Sequence, residues 1–331
     1  MATIPSSTAG SATPAAPEAR IGSMLQRQGA LIALVVLTCI GALRYNGFIS
    51  TYNIVELLRY NAMFGLIALG MTFVIMTGGI DLSVGAVAAL ASVIAALLSP
   101  YGATVAVEAA VGTGLLIGLF NGWVITRFNI APFITTLAML LGARGAALLL
   151  AKNAAVSVDT AGGYVAIGLN GVLGIPFPVI MLLVAYVLGS IVLNYTRFGR
   201  HVLAIGGNED AARLMGLPVD RIKLGVYALS GGLAALAGAI LAALTYTGIP
   251  TEGLGWELTA IAAVVVGGTL LTGGIGSVGT TFVGVLLLGL IINMLSFENL
   301  SAYWQSVIRG VFLLLVVVLQ NQLSGKRKAA A

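Results

Sequence analysis

Of 331 residues, 59% are hydrophobic and only 8% are charged, with a mean hydropathy of +1.06. A soluble globular domain, with about 25% charged residues, is thereby excluded. The formal charge of +5 comes from Lys and Arg lying mostly between apolar runs, where membrane orientation accounts for them without any nucleic-acid partner.

Residues 1–28 begin "MATIPSSTAGSATPAAPEAR", rich in Ala, Ser, Thr and Pro without periodicity, and are expected to form a disordered cytoplasmic tail. Arg20 and Arg27 then precede the apolar "ALIALVVLTCIGAL". No small-residue cleavage site follows it, so this run is expected to stay as a first span rather than to leave as a signal peptide. It holds Cys39, the only cysteine, so there is no disulfide framework, CxxC pair or metal cluster.

Further apolar runs fall near 61–78, 84–99, 107–126, 133–151, 177–195, 224–246, 258–271, 280–296 and 303–322. The chain thus reads as an all-α polytopic membrane protein with about ten segments in one domain, 29–323, ending in a basic cytoplasmic tail, 324–331. Between the sixth and seventh runs lies the longest polar stretch, with Arg197, Arg200, Arg213, Arg221 and Lys223. The positive-inside rule puts that loop and both termini in the cytoplasm, along with Arg127; Arg44, Arg59 and Lys152 fall outside, against the rule.

The second run stops at "FVIMTGGIDLSVGAV", where Gly78 and Gly79 should break a helix inside the membrane. The run after it, Val84 to Leu98, would span only about 22 Å as a helix and is expected to start part-way into the bilayer. Asp81 then has two compatible readings, a helix N-cap or a polar wall of a translocation pathway. Ser83 and Asn121 are candidates for the same pathway, with Thr135, Thr136 and Asn293 as further polar residues in or near spans. Arg144, inside a span but near Lys152, is open equally to snorkelling or an ion pair and to a functional role, and His201 is read as bland. A weaker echo, "TGGIGSVG" at 272–279, suggests an internal repeat relating the two halves of the chain. The spacings Gly114, Gly118, Gly122 and Ala234, Gly238, Ala242 suit close helix contact.

In the polar loop, "NEDAARLMGL" is expected to form a short helix capped by Asn208 and stopped at Gly216. Leu214 and Met215 on such a helix would suit a groove in a partner.

Four stretches together resemble the sugar-type permease subunits of bacterial ABC importers, a family that includes ribose, xylose, arabinose and galactofuranose permeases. They are "ALGMTFVIMTGGIDLSVGAV" at 68–87, "GLFNGWVITRFNIAPFITTLAML" at 118–140, "TRFGRHVLAIGGNEDAARLMGLPVDRIK" at 196–223 and "LTAIAAVVVGGTLLTGGIGSVGTTFVG" at 258–284. Branched-chain amino-acid permeases are similar in architecture, but the intact "GGIDLSVG" resembles the sugar branch.

The resemblance implies a type II importer fold in a bacterial inner membrane and a monosaccharide path through Gly78, Gly79, Asp81, Ser83 and Asn121. It implies an ATPase-coupling loop at about 196–223, using Asn208, Glu209, Ala212, Arg213, Leu214, Met215 and Gly216. The implied partners are a second permease subunit, identical or different, two ATP-binding subunits and a periplasmic sugar-binding protein. ATP and Mg would belong to the partner ATPase, and no cofactor to this chain. No GxxxxGK[ST] phosphate loop occurs; at Gly325-Lys326, Gln320 stands where the first glycine should be. An ion-coupled secondary transporter is the alternative, and an enzyme finds no HExxH or GxSxG to rest on.

Overall fold

The computed structural model describes the backbone of residues 17–301, 303–311, 314 and 318, with side chains among these from residue 29 onward. Of the tail expected at residues 1–28, residues 1–16 lie outside the described residues, as does the basic end, 324–331, and residues 17–28 are helical as the first part of α1 rather than a structureless tail. The helices in chain order are α1 (Pro17–Arg44), α2 (Thr51–Met76), α3 (Val84–Leu98), α4 (Ala103–Phe128), α5 (Pro132–Leu150), α6 (Ala166–Leu169), α7 (Phe177–Tyr195), α8 (Arg197–Gly207), α9 (Glu209–Leu214), α10 (Val219–Thr245), α11 (Trp256–Val266) and α12 (Val278–Phe297). Residues 303–311 are also helical. Among the described residues four two-residue strands form two small ribbons: β1 (Val156–Ser157) pairs with β4 (Thr247–Gly248), and β2 (Gly171–Val172) with β3 (Ile175–Pro176).

The fold is mostly helical, and among the described residues seven helices are long and apolar enough to cross a membrane: α2, α3 with its one-turn extension to Tyr101, α4, α5, α7, α10 and α12. Residues 29–44 and α11 are shorter apolar helices. The eighth apolar run, 258–271, is helical only to Val266; Gly267 and Gly268 then end it, Gly268 with a positive φ.

α10 sits at the centre and packs on α4, α3 and α2. The small-residue stripes make this approach possible. A β-carbon at Gly114 or Gly118 would strike the backbone of Gly231 or Tyr227, and one at Gly238 the backbone of Ala88. Backbones this close let dispersion act over the whole crossing, which is what holds helices together where lipid competes for apolar surface.

Two of the arginines that break the positive-inside rule are paired: Arg44 with Glu298 at 2.9 Å and Arg59 with Glu56 at 2.8 Å. The polar stretch 196–223, expected to hold one short helix, holds two and the start of α10. α8 is capped by Thr196, whose hydroxyl accepts from Gly199 N at 3.3 Å, and buries Val202 and Ile205 on one face. That burial makes it a helix despite its polar flanks.

Candidate functional site

The break after α2 is built by Gly78, whose φ of +79° suits a residue without a β-carbon. Here the chain turns through Thr77–Ser83 before α3 begins. Asp81 lies at the turn, 1% exposed. Its Oδ1 accepts from Ser83 N at 3.0 Å and Ser83 Oγ at 2.6 Å, and its Oδ2 from Ser230 Oγ on α10 at 2.8 Å. Asn121 Nδ2 on α4 donates to Ser83 Oγ at 3.1 Å. The result is a polar chain, Asn121 to Ser83 to Asp81 from Ser230, that ties the break to α4 and α10.

Asp81 lies three residues ahead of α3, near the positive end of its dipole, and holds the amide and hydroxyl of Ser83 just before the helix begins. Ser83, at the helix start, makes no capping bond of its own. The next free amide, Leu82 N, donates to Thr136 Oγ1 on α5 at 3.1 Å. Backbone freed in a membrane must find such partners: Leu82 N finds Thr136 on α5 and Ser83 N finds Asp81, whose carboxylate and neighbouring serine are held in turn by Ser230 on α10 and Asn121 on α4.

Of the residues singled out in sequence, Asp81, Ser83, Asn121 and Gly79 are buried together at the break, and Gly78 is exposed beside them. A β-carbon at Gly79 would strike the Tyr227 hydroxyl. That hydroxyl and Asn121 Oδ1 are buried without a hydrogen-bond partner. Thr136 belongs to the same cluster, whereas the Thr135 hydroxyl makes no bond. Asn293 lies elsewhere, exchanging hydrogen bonds with Asn53 at 2.9 and 3.2 Å. Ser230 and Tyr227 were not singled out. Their signal was present in "VYALSGGLAALAG", where a lone serine and a lone tyrosine interrupt an apolar, glycine-rich span.

The two echoing motifs meet in space. Gly274 N donates to Met76 O at 3.0 Å, and a β-carbon at Gly273 would lie 2.8 Å from Gly78 N. Gly273 and Gly274 both have positive φ. The end of α8 closes over this junction: a β-carbon at Gly206 would strike Met76 O and Gly274 N together. Both breaks and the polar segment thus share one contact.

Beyond α8, Asn208 caps α9, its side chain accepting from Ala211 N at 2.9 Å, and the chain leaves at Gly216 with a φ of +78°. Ala212 is buried and anchors the helix, while Leu214 and Met215 stand 90% and 71% exposed. Arg213 pairs with Asp220 at 2.8 Å and Glu209 at 3.2 Å, and Glu209 with Lys223 at 2.6 Å. Partial burial would raise the Glu209 carboxyl, but Lys223 and Arg213 outweigh it and hold it below its usual range. Asp220 raises Arg213. Two exposed apolar side chains are thus presented on a braced turn of helix. Among the described residues no group of His, Cys, Asp and Glu could hold a metal ion.

Residues 53–317 match the family described as branched-chain amino acid transport system / permease component. The chain is 42% identical over 304 residues to the ribose import permease protein RbsC of Bacillus subtilis (strain 168), covering 91% of this chain and 94% of that protein. It is 39% identical to RbsC of Escherichia coli (strain K12), covering 90% and 94%. It is 37% identical to the L-arabinose transport system permease protein AraH of the same organism, covering 94% and 95%. No solved structure matches.

Proposed function

Because this chain belongs to the branched-chain amino acid transport system / permease component family, we propose that it is the membrane-spanning subunit of an ATP-driven importer and forms the path of a monosaccharide. The observation that carries this is similarity along nine-tenths of the chain to permeases named for ribose and L-arabinose. It favours the sugar branch and stands against the ion-coupled alternative.

The subunit is a non-catalytic member of its complex, and ATP hydrolysis with Mg belongs to a partner subunit that docks on α9. Leu214 and Met215 are the apolar contacts, and Asn208, Glu209, Ala212, Arg213 and Gly216 hold their shape. A second permease subunit, identical or different, completes the path, and a binding protein delivers sugar from the outer side of a bacterial inner membrane. Each of the ten apolar runs contains helical residues, the eighth only to Val266 and the tenth described over 303–311, 314 and 318, and an even number of crossings suits both termini in the cytoplasm. The meeting of the two TGGI motifs supports an internal repeat.

Within the path, Asp81, Ser83, Asn121, Gly78 and Gly79 act by position. A carboxylate this enclosed, with both oxygens occupied, shapes the wall by fixing the break rather than by touching sugar. Co-purification with an ATP-binding subunit tests the assembly: retention is expected for the wild type, and loss when Leu214 and Met215 are both changed to Asp. Retention with unchanged transport in that variant would remove α9 from the role.

A further inference from the structure

The segment between α10 and α11 does not stay at the membrane surface. Gly248, at its start, packs beside Ser92 and Val93, in the middle of α3. Five residues later, Gly253 packs against Gly85, one residue from the inner end of that helix: a β-carbon at Gly253 would lie 2.5 Å from Gly85 O. From Val93 to Gly85 a helix falls about 12 Å at 1.5 Å per residue, so the chain descends that far without regular structure. Trp256 then packs against Phe64, midway along α2, with ring centres 4.9 Å apart and planes tilted by 56°.

Arg144 of α5, twelve residues into that helix, holds the descending segment. Its Nη1 donates to Pro250 O at 2.7 Å and also to Glu252 O. The carboxylates of Glu257 and Glu252 lie within electrostatic reach of the guanidinium. Arg144 thus does not snorkel: it holds two loop carbonyls, with two carboxylates in electrostatic reach. Thr251 and Leu254 are exposed, as is Leu141, one turn from Arg144 on α5.

Irregular backbone, a half-buried arginine and two carboxylates at this depth cannot face hydrocarbon, where unmet polar groups cost several kcal/mol. They are tolerated where they are buried in protein or line water, and the exposure of Thr251 and Leu254 on this segment favours water. Resting on the transport reading above, we propose that the dip Ile249–Gly255, with Arg144 and Glu252, is a water-filled station on the translocation path that binds the hydroxyls of a monosaccharide. Arg144 fixes the loop, and Glu252 supplies the hydrogen-bond acceptor.

The test uses the assembled importer in membrane vesicles, with Cys39→Ser removing the native thiol. Leu254→Cys is compared with Leu183→Cys on α7, an exposed position away from the dip, for reaction with a charged, membrane-impermeant methanethiosulfonate. Leu254→Cys should react about tenfold faster or more, since each unit by which lipid raises a thiol pKa removes tenfold of its thiolate. Glu252→Gln should lower uptake of labelled ribose and L-arabinose about tenfold, the worth of one hydrogen bond to a charged group. Equally slow labelling at both positions would overturn the station, whatever the wild type imports. Fast labelling with uptake unchanged in Glu252→Gln would overturn the sugar contact. Wild-type vesicles that import neither sugar would instead fail the substrate reading, while the labelling still decides the station.

Discussion

Ser230 on α10 donates its hydroxyl to Oδ2 of Asp81 at 2.8 Å, across 149 residues of sequence. This bond joins the helix break to the helix that carries the polar segment's far end, and it is wholly buried. Ser230→Ala would leave that oxygen without a partner, at a cost of about 1–3 kcal/mol. The purified complex should show a lower melting temperature, and an unchanged one would mean that the bond contributes nothing.

Asp81 offers a sharper comparison. Asparagine caps helices about as well as aspartate, keeps one acceptor oxygen, and can meet Ser230 with its amide while the serine hydroxyl rotates. Asp81→Asn should assemble and retain most uptake, whereas Asp81→Leu should fail to accumulate in the membrane. Lost uptake in a stably assembled Asp81→Asn complex would assign the charge a direct part in translocation.

Gly79→Leu should abolish uptake, because its side chain must displace the Tyr227 hydroxyl and spread the packing of the break against α10. Gly206→Ala is the milder counterpart at the α8 junction, where even a methyl meets Met76 O and Gly274 N. Its expected result is reduced uptake with ATP-binding subunits still attached, since Leu214 and Met215 are untouched. Normal uptake in Gly206→Ala would show that the junction does not transmit motion.

Much of this arrangement was legible in the sequence because its determinants are local. The bounds of α3 follow from two glycines before it and a serine and proline after it, and the α9 cap from Asn208 three residues ahead of Ala211. The partners of the break were not legible. Ser230, Tyr227 and Thr136 reach Asp81, Gly79 and Leu82 through tertiary packing, and no spacing rule relates residues on different helices. α8 was missed for another reason: Phe198, Val202 and Ile205 recur at helical spacing, but the Arg and His among them give the stretch a polar average, which reads as loop. Arg144 near Lys152 suggested snorkelling because a lone span does not show that a loop will descend to meet it.

The salt bridges of α9 set a pH dependence. The Glu209 carboxyl has its pKa lowered in the folded state, so its contribution is present above the ordinary glutamate value, about 4.3, and is lost as pH falls through the lower folded value. Amide exchange of residues 209–216 in the purified complex should reflect an intact brace at neutral and mildly acidic pH. Loosening should come only below the ordinary glutamate range. Loosening already near neutral pH would show that Lys223 and Arg213 do not hold it.

Energy coupling is most directly measured by uptake of labelled ribose and L-arabinose into vesicles containing this subunit with its ATP-binding partner and binding protein. Uptake should require ATP, stop when the partner's ATPase is inactivated, and continue in the presence of a proton or sodium ionophore. Uptake that survives the inactive ATPase and collapses with the ionophore would contradict an ATP-driven permease.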